Sequence, residues 1–126
     1  MGKKKILIVD DEVDFTRVLK LNLDAFGKYE VRIENNSSAA LDTIRAFKPD
    51  LVLLDIMMPV VDGGEIAHQI EEDEEAKGTP VVFLTATVTK EEIASSNKGH
   101  IGGHVFIAKP VGIKELVACI DANVKK

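Results

Sequence analysis

The sequence predicts an α/β fold in which helices cover a parallel sheet. Short apolar runs rich in β-branched residues alternate with stretches whose apolar residues recur at helical spacing, and the alternation occurs five times. The chain has 126 residues, of which 45% are hydrophobic and 29% charged, and this suits one soluble domain with its own core. We therefore expect a single domain over residues 1–126.

Five runs predict the strands. Four of them are almost wholly apolar, as is typical of strands buried on both faces of a parallel sheet: residues 6–9, 51–54, 81–84 and 105–107. The fifth, residues 29–33, alternates more between apolar and polar residues and is predicted to lie at an edge of the sheet.

The first helix is predicted directly after the first strand. Its apolar residues share one face at helical spacing and are Phe15, Val18, Leu19, Leu23 and Phe26. Gly27 is predicted to end this helix, because glycine adopts the left-handed conformation that follows a helix at no steric cost.

Four further helices follow the other strands. The second is predicted to be capped by Asn36 or Ser37, and Pro49 stands beyond its end. A weaker pattern at residues 90–98 predicts the fourth helix. The apolar residues that mark the second, third and last helices are Ala40, Leu41, Ile44, Phe47, Ile66, Ala67, Ile70, Ile113, Leu116, Val117, Ile120 and Val124.

These elements predict a three-layer architecture. Right-handed crossovers place five helices on the two faces of a doubly wound five-stranded parallel sheet. We expect the flavodoxin-like strand order 2-1-3-4-5, in which ligands bind beyond the carboxyl ends of the strands.

Composition excludes several classes of function. The net charge of −5 argues against a nucleic-acid surface, since phosphate binding needs a basic patch. No apolar stretch is long enough to insert into a membrane. Cys119 is the only cysteine, so no internal disulfide can form, and we expect a buried, inert thiol in a reducing cytoplasmic setting.

Polar side chains stand at the carboxyl ends of four predicted strands. Asp10 and Asp11 follow the first, Asp55 the third, Thr85 the fourth and Lys109 the fifth. Strands one and three are neighbours in the expected order and lie about 4.8 Å apart, so the three aspartates should converge. A hard divalent cation, Mg²⁺ or alternatively Mn²⁺, would neutralise them. The pattern therefore predicts a metal-dependent phosphate site in which a carboxylate can act as nucleophile.

Each of these residues also has an ordinary structural interpretation. Asp11 and Glu12 can serve as acids at a helix N-terminus, and Asp55 and Lys109 can form a simple ion pair. These interpretations do not account for polar groups at all four strand ends, and that coincidence favours the phosphate site.

Four segments resemble those of a response-regulator receiver domain, the phosphoacceptor module of two-component signalling. They are VDDE at residues 9–12, DIMMPVVDG at residues 55–63, Thr85-Ala86 and Lys109-Pro110. Each segment is weakly specific alone, but their order and separations together are highly specific, and the resemblance spans essentially the whole chain.

The resemblance implies a role for each acidic residue. Asp55 would accept a phosphoryl group from the phosphohistidine of a histidine kinase or phosphotransfer protein, or from a small donor such as acetyl phosphate. Asp11 and Asp55 would bind Mg²⁺ directly, Asp10 mainly through water, and the backbone carbonyl of Met57 would complete the protein ligands. Such a protein catalyses only its own phosphorylation and dephosphorylation, so it is a signalling module and not an enzyme.

The resemblance also implies a conformational switch. Lys109 would bridge to Asp55 or its phosphate, the backbone at Met57 and Ala86 would bind the phosphoryl oxygens, and Thr85 would move toward them. Phe106 would then turn inward and change the face formed by the fourth helix, fifth strand and fifth helix, which a downstream protein would read. Phe106 can equally be an ordinary core residue. Dimerisation on phosphorylation is left open.

Met57 and Thr87 lie at positions that, in this family, influence how long the phosphoryl group lasts. Neither side chain is an acid or an amide that could position a water molecule. We therefore expect slow autodephosphorylation.

Three other functions fit the sequence less well. A phosphohydrolase with an aspartate nucleophile usually has a second acid two residues later, where this chain has Met57, and it needs a larger chain. A flavodoxin-like cofactor binder would have a loop rich in Ser, Thr and Gly after the first strand, where this chain is acidic. A degenerate receiver that acts only as an interaction module is disfavoured by the intact acidic set and Lys109.

Overall fold

A computed structural model describes residues 3–56, 58–85, 100–101, 104–108 and 112–124. Its strands in chain order are β1 (Lys4–Val9), β2 (Tyr29–Glu34), β3 (Leu51–Asp55), β4 (Val81–Thr85), β5 (His100–Ile101) and β6 (His104–Ala108). Its α-helices are α1 (Val13–Phe26), α2 (Ala40–Phe47), α3 (Gly63–Glu72) and α4 (Ile113–Asn123), and a 3₁₀ turn at Ser37–Ala39 precedes α2. The predicted helix at residues 90–98 lies outside the described residues, so the described helices number four where the sequence predicts five.

The strand order is β2-β1-β3-β4-β6-β5, and the first five strands of this order pair in parallel. The predicted flavodoxin-like order is therefore confirmed, with β6 as the predicted fifth strand and β2 at the predicted edge. The short β5 is an addition: it pairs antiparallel with β6, joining His100 to Val105 and Ile101 to His104. Two residues are too few to carry a periodic pattern, so only the pairing with β6 defines this strand.

Two apolar clusters cover the two faces of the sheet and give the predicted three layers. Alternate residues of each strand point to opposite faces, so Leu7 and Val9 pack with α2 and α3, whereas Ile6 and Ile8 pack with α1 and α4. Leu7, Ile6, Val9 and Ile8 are all fully buried. The runs in β1, β3 and β4 were thus correctly interpreted as strands covered on both sides, whereas residues 105–107 of β6 are only half-buried.

The buried face of α1 differs from the predicted one. The helix buries Leu19 and Leu23 as expected, but Thr16 completes the face, while Val18 and Phe26 are 57% and 43% exposed. Thr16 can replace an apolar residue there because its hydroxyl donates to the carbonyl of Val13 at 2.9 Å, which satisfies the group inside the fold.

The predicted end of α1 is confirmed, but α2 begins after Ala39 without a side-chain cap, so the predicted cap of the second helix belongs instead to the 3₁₀ turn that precedes it. Gly27 lies at the end of α1 with φ of 72°, and its N–H donates to the carbonyl of Asp24 at 3.0 Å. The side chain of Asn36 accepts from the N–H of Ser38 at 3.0 Å and so caps the 3₁₀ turn before α2. These signals are local, which is why sequence alone predicts them.

Within the described part of the chain, every helix is too short or too polar to cross a membrane. Cys119 lies half-buried on α4, and burial raises the pKa of its thiol, while a contact from Asn123 acts in the opposite direction. The raised pKa keeps the group mostly in the thiol form and agrees with the predicted inert cysteine.

Candidate functional site

Three carboxylates meet at the carboxyl edge of the sheet. One oxygen from each of Asp10, Asp11 and Asp55 lies within 4.8 Å of the others. The pairing of β1 with β3 places Val9 opposite Leu54, so the two strands deliver Asp10 and Asp55 to the same edge. Asp10 is fully buried and Asp55 is 4% exposed, whereas Asp11 is the more accessible of the three.

The turn after β1 presents Asp10 and Asp11. The N–H of Asp10 donates to the carbonyl of Glu34 at 3.2 Å, which continues the pairing of β1 with β2 for one more residue. The N–H of Glu12 donates to Oδ1 of Asp10 at 2.9 Å and folds the chain back into α1. The side chain of Asp10 is therefore held by the backbone of its own turn.

The loop between β3 and α3 closes tightly behind Asp55. The N–H of Gly63 donates to the carbonyl of Ile56 at 2.8 Å. A Cβ on Gly63 would lie 2.3 Å from the carbonyl oxygen of Asp55, which is closer than any real contact, so only glycine fits there. Asp62 accepts from the N–H of Glu65 at 2.9 Å and caps α3. The start of α3 thus packs directly against the backbone of Asp55.

The middle of this loop contains a strained turn. Val60 has φ of 72°, and the N–H of Val61 donates to the carbonyl of Pro59 at 2.9 Å, a pattern that defines a γ-turn with positive φ. This conformation is costly for a β-branched residue. The Val60 side chain is 90% exposed, so its own packing does not account for the strain.

Thr85 ends β4, which pairs with β3 on one side and with β6 on the other. Thr85 and Ala108 are paired at the ends of these strands, so Lys109 directly follows the residue opposite Thr85 in the sequence. Lys109, Met57 and Ala86 lie outside the described residues, as does the side chain of Thr85. The roles that the resemblance implies for them stay predictions.

Phe106 lies on β6 and stacks on Phe83 of β4. The two ring centroids are 5.0 Å apart and the ring planes meet at 30°. Phe106 is half-buried at the rim of a cavity of about 320 Å³ that Ile56, Ala67 and His68 also line. The structure therefore packs Phe106 against the core and leaves part of its ring accessible.

The chemistry of this donor set favours a hard cation. Three ionised carboxylates at this separation would repel one another by about 3 kcal/mol a pair at an effective dielectric constant of about 20. Carboxylate oxygens are the ligands that Mg²⁺ prefers, and one accessible carboxylate beside two buried ones leaves space for water and phosphate oxygens. The site therefore fits Mg²⁺ and the similar Mn²⁺.

Sequence reasoning missed a contribution from the segment after β2. Asn35 and Ser37 contact the two loops that border the carboxylates. Both stand just beyond the carboxyl end of a strand, which is the signal that identified Asp10 and Asp55. Ser37 was predicted only as a helix cap. The carboxyl end of β2 was not included among the predicted site positions, because β2 lies at the edge of the sheet.

Comparisons with known proteins agree with this geometry. Residues 6–121 match the model of a family described as the response regulator receiver domain. The chain is 40% identical over 122 residues to the nisin biosynthesis regulatory protein NisR of Lactococcus lactis subsp. lactis, an alignment that covers 97% of this chain and 51% of NisR. The chain therefore spans about half the length of this curated relative.

Solved structures show the same likeness. The N-terminal domain of a response regulator receiver protein from Methanoculleus marisnigri is 32% identical, with a TM-score of 0.71 and 96% of each chain covered. A CheY-like response regulator receiver domain protein from Methanospirillum hungatei is 28% identical, with a TM-score of 0.78, and the match covers 96% of this chain and 93% of that one.

Proposed function

Because the chain belongs to the response regulator receiver domain family, a family of signalling modules in two-component systems, we propose that Asp55 is its phosphoacceptor. Membership of the family implies interaction with histidine kinases or phosphotransfer proteins. The observation that carries the proposal is the convergence of Asp10, Asp11 and Asp55 within 4.8 Å at the carboxyl edge of the sheet. Asp55 is the member that ends β3, a strand between β1 and β4, and it pairs with Leu84 of β4.

The reaction is a phosphoryl transfer. A carboxylate oxygen of Asp55 attacks the phosphorus of a phosphohistidine, an O–P bond forms as the N–P bond breaks, and the leaving imidazole nitrogen keeps the electron pair and takes a proton from solvent. Positioning and charge neutralisation supply most of the catalysis in such transfers. The buried, closely held Asp55 suits this role, because little reorganisation is needed before attack.

Asp11 and Asp55 would hold Mg²⁺ directly, Asp10 would hold it mainly through water, and the Met57 carbonyl would be a further ligand. When bound, the ion neutralises the carboxylates and the phosphoryl oxygens, which otherwise repel one another. The closeness of the three carboxylates supports this assignment, since an acidic pocket cannot accept a phosphate without a cation.

Lys109 would pair with the phosphoryl group as a point charge, and the backbone at Met57 and Ala86 would bind its oxygens. Thr85 and Phe106 would form the switch that alters the face read by a downstream protein. Two observations support the switch: β4 and β6 are adjacent, and the ring of Phe106 is only half-buried. We further propose one domain over residues 1–126 and a cytoplasmic location.

The experiment is an intact-mass measurement after incubation with acetyl phosphate, with and without Mg²⁺. We expect one added phosphoryl group that requires Mg²⁺ and is absent from Asp55→Asn. Asp62→Asn is the matched control, because asparagine preserves the cap of α3 and the same acid-to-amide change leaves the carboxylate cluster intact. An adduct that forms equally in Asp55→Asn would contradict the proposal.

A further inference from the structure

A single segment contacts both loops that border the carboxylate cluster. Residues 35–37 run from the end of β2 into the first residue of the 3₁₀ turn, and they contact both the turn that carries Asp10 and Asp11 and the loop that follows Asp55. The two loops follow β1 and β3, which are adjacent in the sheet but far apart in the chain. The segment is therefore placed to set the distance between them.

Asn35 makes the contact to the first loop. Its side-chain amide donates to the backbone carbonyl of Asp10 at 2.7 Å and to the hydroxyl of Thr16 at 3.1 Å. Thr16 is 1% exposed and donates in turn to the carbonyl of Val13. Asn35 thus links the backbone of a predicted metal-binding residue to the buried face of α1.

Ser37 makes the contact to the second loop. Its hydroxyl donates to the carbonyl of Pro59 at 2.8 Å and accepts a longer contact of 3.4 Å from the N–H of Val61. These two groups are the ends of the γ-turn that holds Val60 at positive φ. Ser37 is 8% exposed, so its hydroxyl is shielded from water and reinforces the strained turn.

We propose that Asn35 and Ser37 are positioning residues that hold the two loops at the separation a divalent cation requires. The inference rests on the proposed function, because it concerns the same carboxylates. Neither residue belongs to the carboxylate cluster. Each acts through backbone: Asn35 through the carbonyl of Asp10, and Ser37 through the turn that follows Asp55 in the chain.

Residues behind metal ligands affect affinity by holding those ligands in place. Mg²⁺ tolerates little deviation from octahedral geometry. Its affinity therefore depends on how closely the ligand atoms of the metal-free protein already lie to the positions that they take when it binds. Without the hydroxyl of Ser37 the strained turn would lose a hydrogen-bond partner, and we expect the loop to sample less strained conformations as well. Loss of an outer contact of this kind typically weakens metal binding by about 10-fold or more.

The test compares Mg²⁺ dissociation constants, measured by calorimetry with magnesium chloride, for the wild type, Ser37→Ala and Asn35→Ala. Ser38→Ala is the matched serine control, because Ser38 is the exposed neighbour of Ser37. Asn22→Ala removes an exposed amide from α1 and controls for loss of an asparagine. Urea unfolding without metal is measured for every variant.

We expect Ser37→Ala and Asn35→Ala each to bind Mg²⁺ about 10-fold more weakly, while both controls bind as the wild type does. The phosphorylation rate with acetyl phosphate should require correspondingly more Mg²⁺ for half-maximal rate. It should return close to the wild-type rate at saturating Mg²⁺, because the bound cation itself draws the loops together. A purely structural role would lower stability without this shift in Mg²⁺ dependence.

Three results would overturn the inference, and they separate it from the proposed function. Unchanged Mg²⁺ affinity in both variants, with a wild type that binds Mg²⁺ and gains a phosphoryl group, contradicts the inference alone. Mg²⁺ binding that is weakened equally in the control variants and the test variants would also contradict the inference alone. A wild type that neither binds Mg²⁺ nor becomes phosphorylated contradicts both.

Discussion

The phenol of Tyr29 donates to Oδ1 of Asp121 at 2.8 Å and so joins the start of β2 to α4. Lys28 pairs with the other oxygen of the same carboxylate at 2.6 Å. Tyr29 is 3% exposed, whereas the side chain of Asp121 is 42% exposed. This contact lies at the end of the sheet opposite the carboxylate cluster, so it can be altered without disturbing the candidate site.

Removal of the Tyr29 hydroxyl should lower the free energy of unfolding and leave the candidate site unchanged. We expect Tyr29→Phe to reduce the free energy of unfolding by about 1 kcal/mol, because the hydrogen bond to a charged acceptor is lost while the ring remains. Urea unfolding measures the change. Phosphorylation by acetyl phosphate should proceed at the wild-type rate, and a marked loss of that rate would contradict the separation of the two regions.

The same carboxylate gives the stability a pH dependence. The contacts from Lys28 and then Tyr29 lower the pKa of Asp121 below its ordinary value of 3.8. Because the folded pKa is the lower one, the stabilisation is present above the unfolded pKa and is lost as pH falls through the folded pKa. Asp121→Asn should therefore flatten the decline in stability below about pH 4.

Asp24→Asn is the matched control for this pH effect. Asp24 also pairs with a lysine, at 2.7 Å, and its side chain is likewise 42% exposed, but its partner Lys20 belongs to the same helix. We expect a smaller change in the pH dependence of urea unfolding for Asp24→Asn. Equal changes in the two variants would show that the contact with Tyr29 adds nothing.

Val60→Gly should stabilise the protein. The side chain is 90% exposed and φ is 72°, so the substitution relieves backbone strain and removes almost no packing. A sparsely populated backbone conformation of this kind costs about 1–3 kcal/mol, and the greater entropy of unfolded glycine offsets up to about 1 kcal/mol. We expect a net gain of about 0.5–1 kcal/mol in urea unfolding. A lower free energy of unfolding for Val60→Gly would contradict the backbone strain at Val60.

Gly63→Ala and Gly64→Ala form a matched pair of neighbouring substitutions. A Cβ at Gly63 would lie 2.3 Å from the carbonyl oxygen of Asp55, whereas a Cβ at Gly64 comes no closer than 3.4 Å to Oδ1 of Asp62. We expect Gly63→Ala to cost about 3 kcal/mol and to slow phosphorylation, because the backbone of Asp55 must shift.

Gly64→Ala should be neutral or stabilising by up to about 1 kcal/mol, since alanine favours the helix. Urea unfolding and phosphorylation rates of both variants test the pair. Equal stability of the two alanine variants would contradict the tight closure of the loop behind Asp55.

The phosphorylated protein should lose its phosphoryl group slowly. Neither Met57 nor Thr87, which the resemblance implies lie beside the phosphoryl group, has an acid or an amide that could hold the attacking water, so we expect hydrolysis to lack an aligned nucleophile. We expect a lifetime well beyond seconds, followed by intact mass after removal of the donor. Met57→Glu should shorten it several-fold. A half-life of seconds in the wild type would contradict the expectation.

Sequence reasoning succeeded where the signal is local or repeated. Alternating apolar runs predicted the strands and their order, and polar residues at strand ends predicted the convergence of Asp10, Asp11 and Asp55. Gly27 and Asn36 carried conformational preferences that hold in any fold. These features depend on the pleat of a strand and the period of a helix, which sequence spacing reports directly.

Features that depend on tertiary contacts were not predictable. Thr16 occupies a buried position of α1 in place of the expected Val18, because its hydroxyl is satisfied by backbone and a periodic pattern counts only apolar residues. The contact of Ser37 with Pro59 joins residues 22 apart in the chain. The strain at Val60 follows from that loop closure, since valine itself disfavours positive φ.

The central claim is that Asp55 receives the phosphoryl group, and the most direct measurement is chemical trapping of the adduct. The protein is incubated with acetyl phosphate and Mg²⁺ and then treated with borohydride, which reduces an acyl phosphate to an alcohol and so converts a phosphorylated aspartate into homoserine. Peptide mass spectrometry should find homoserine at position 55 and unmodified aspartate at Asp10, Asp11 and Asp62. Homoserine at one of those positions, or a stable phosphate ester on a hydroxyl group, would contradict the account.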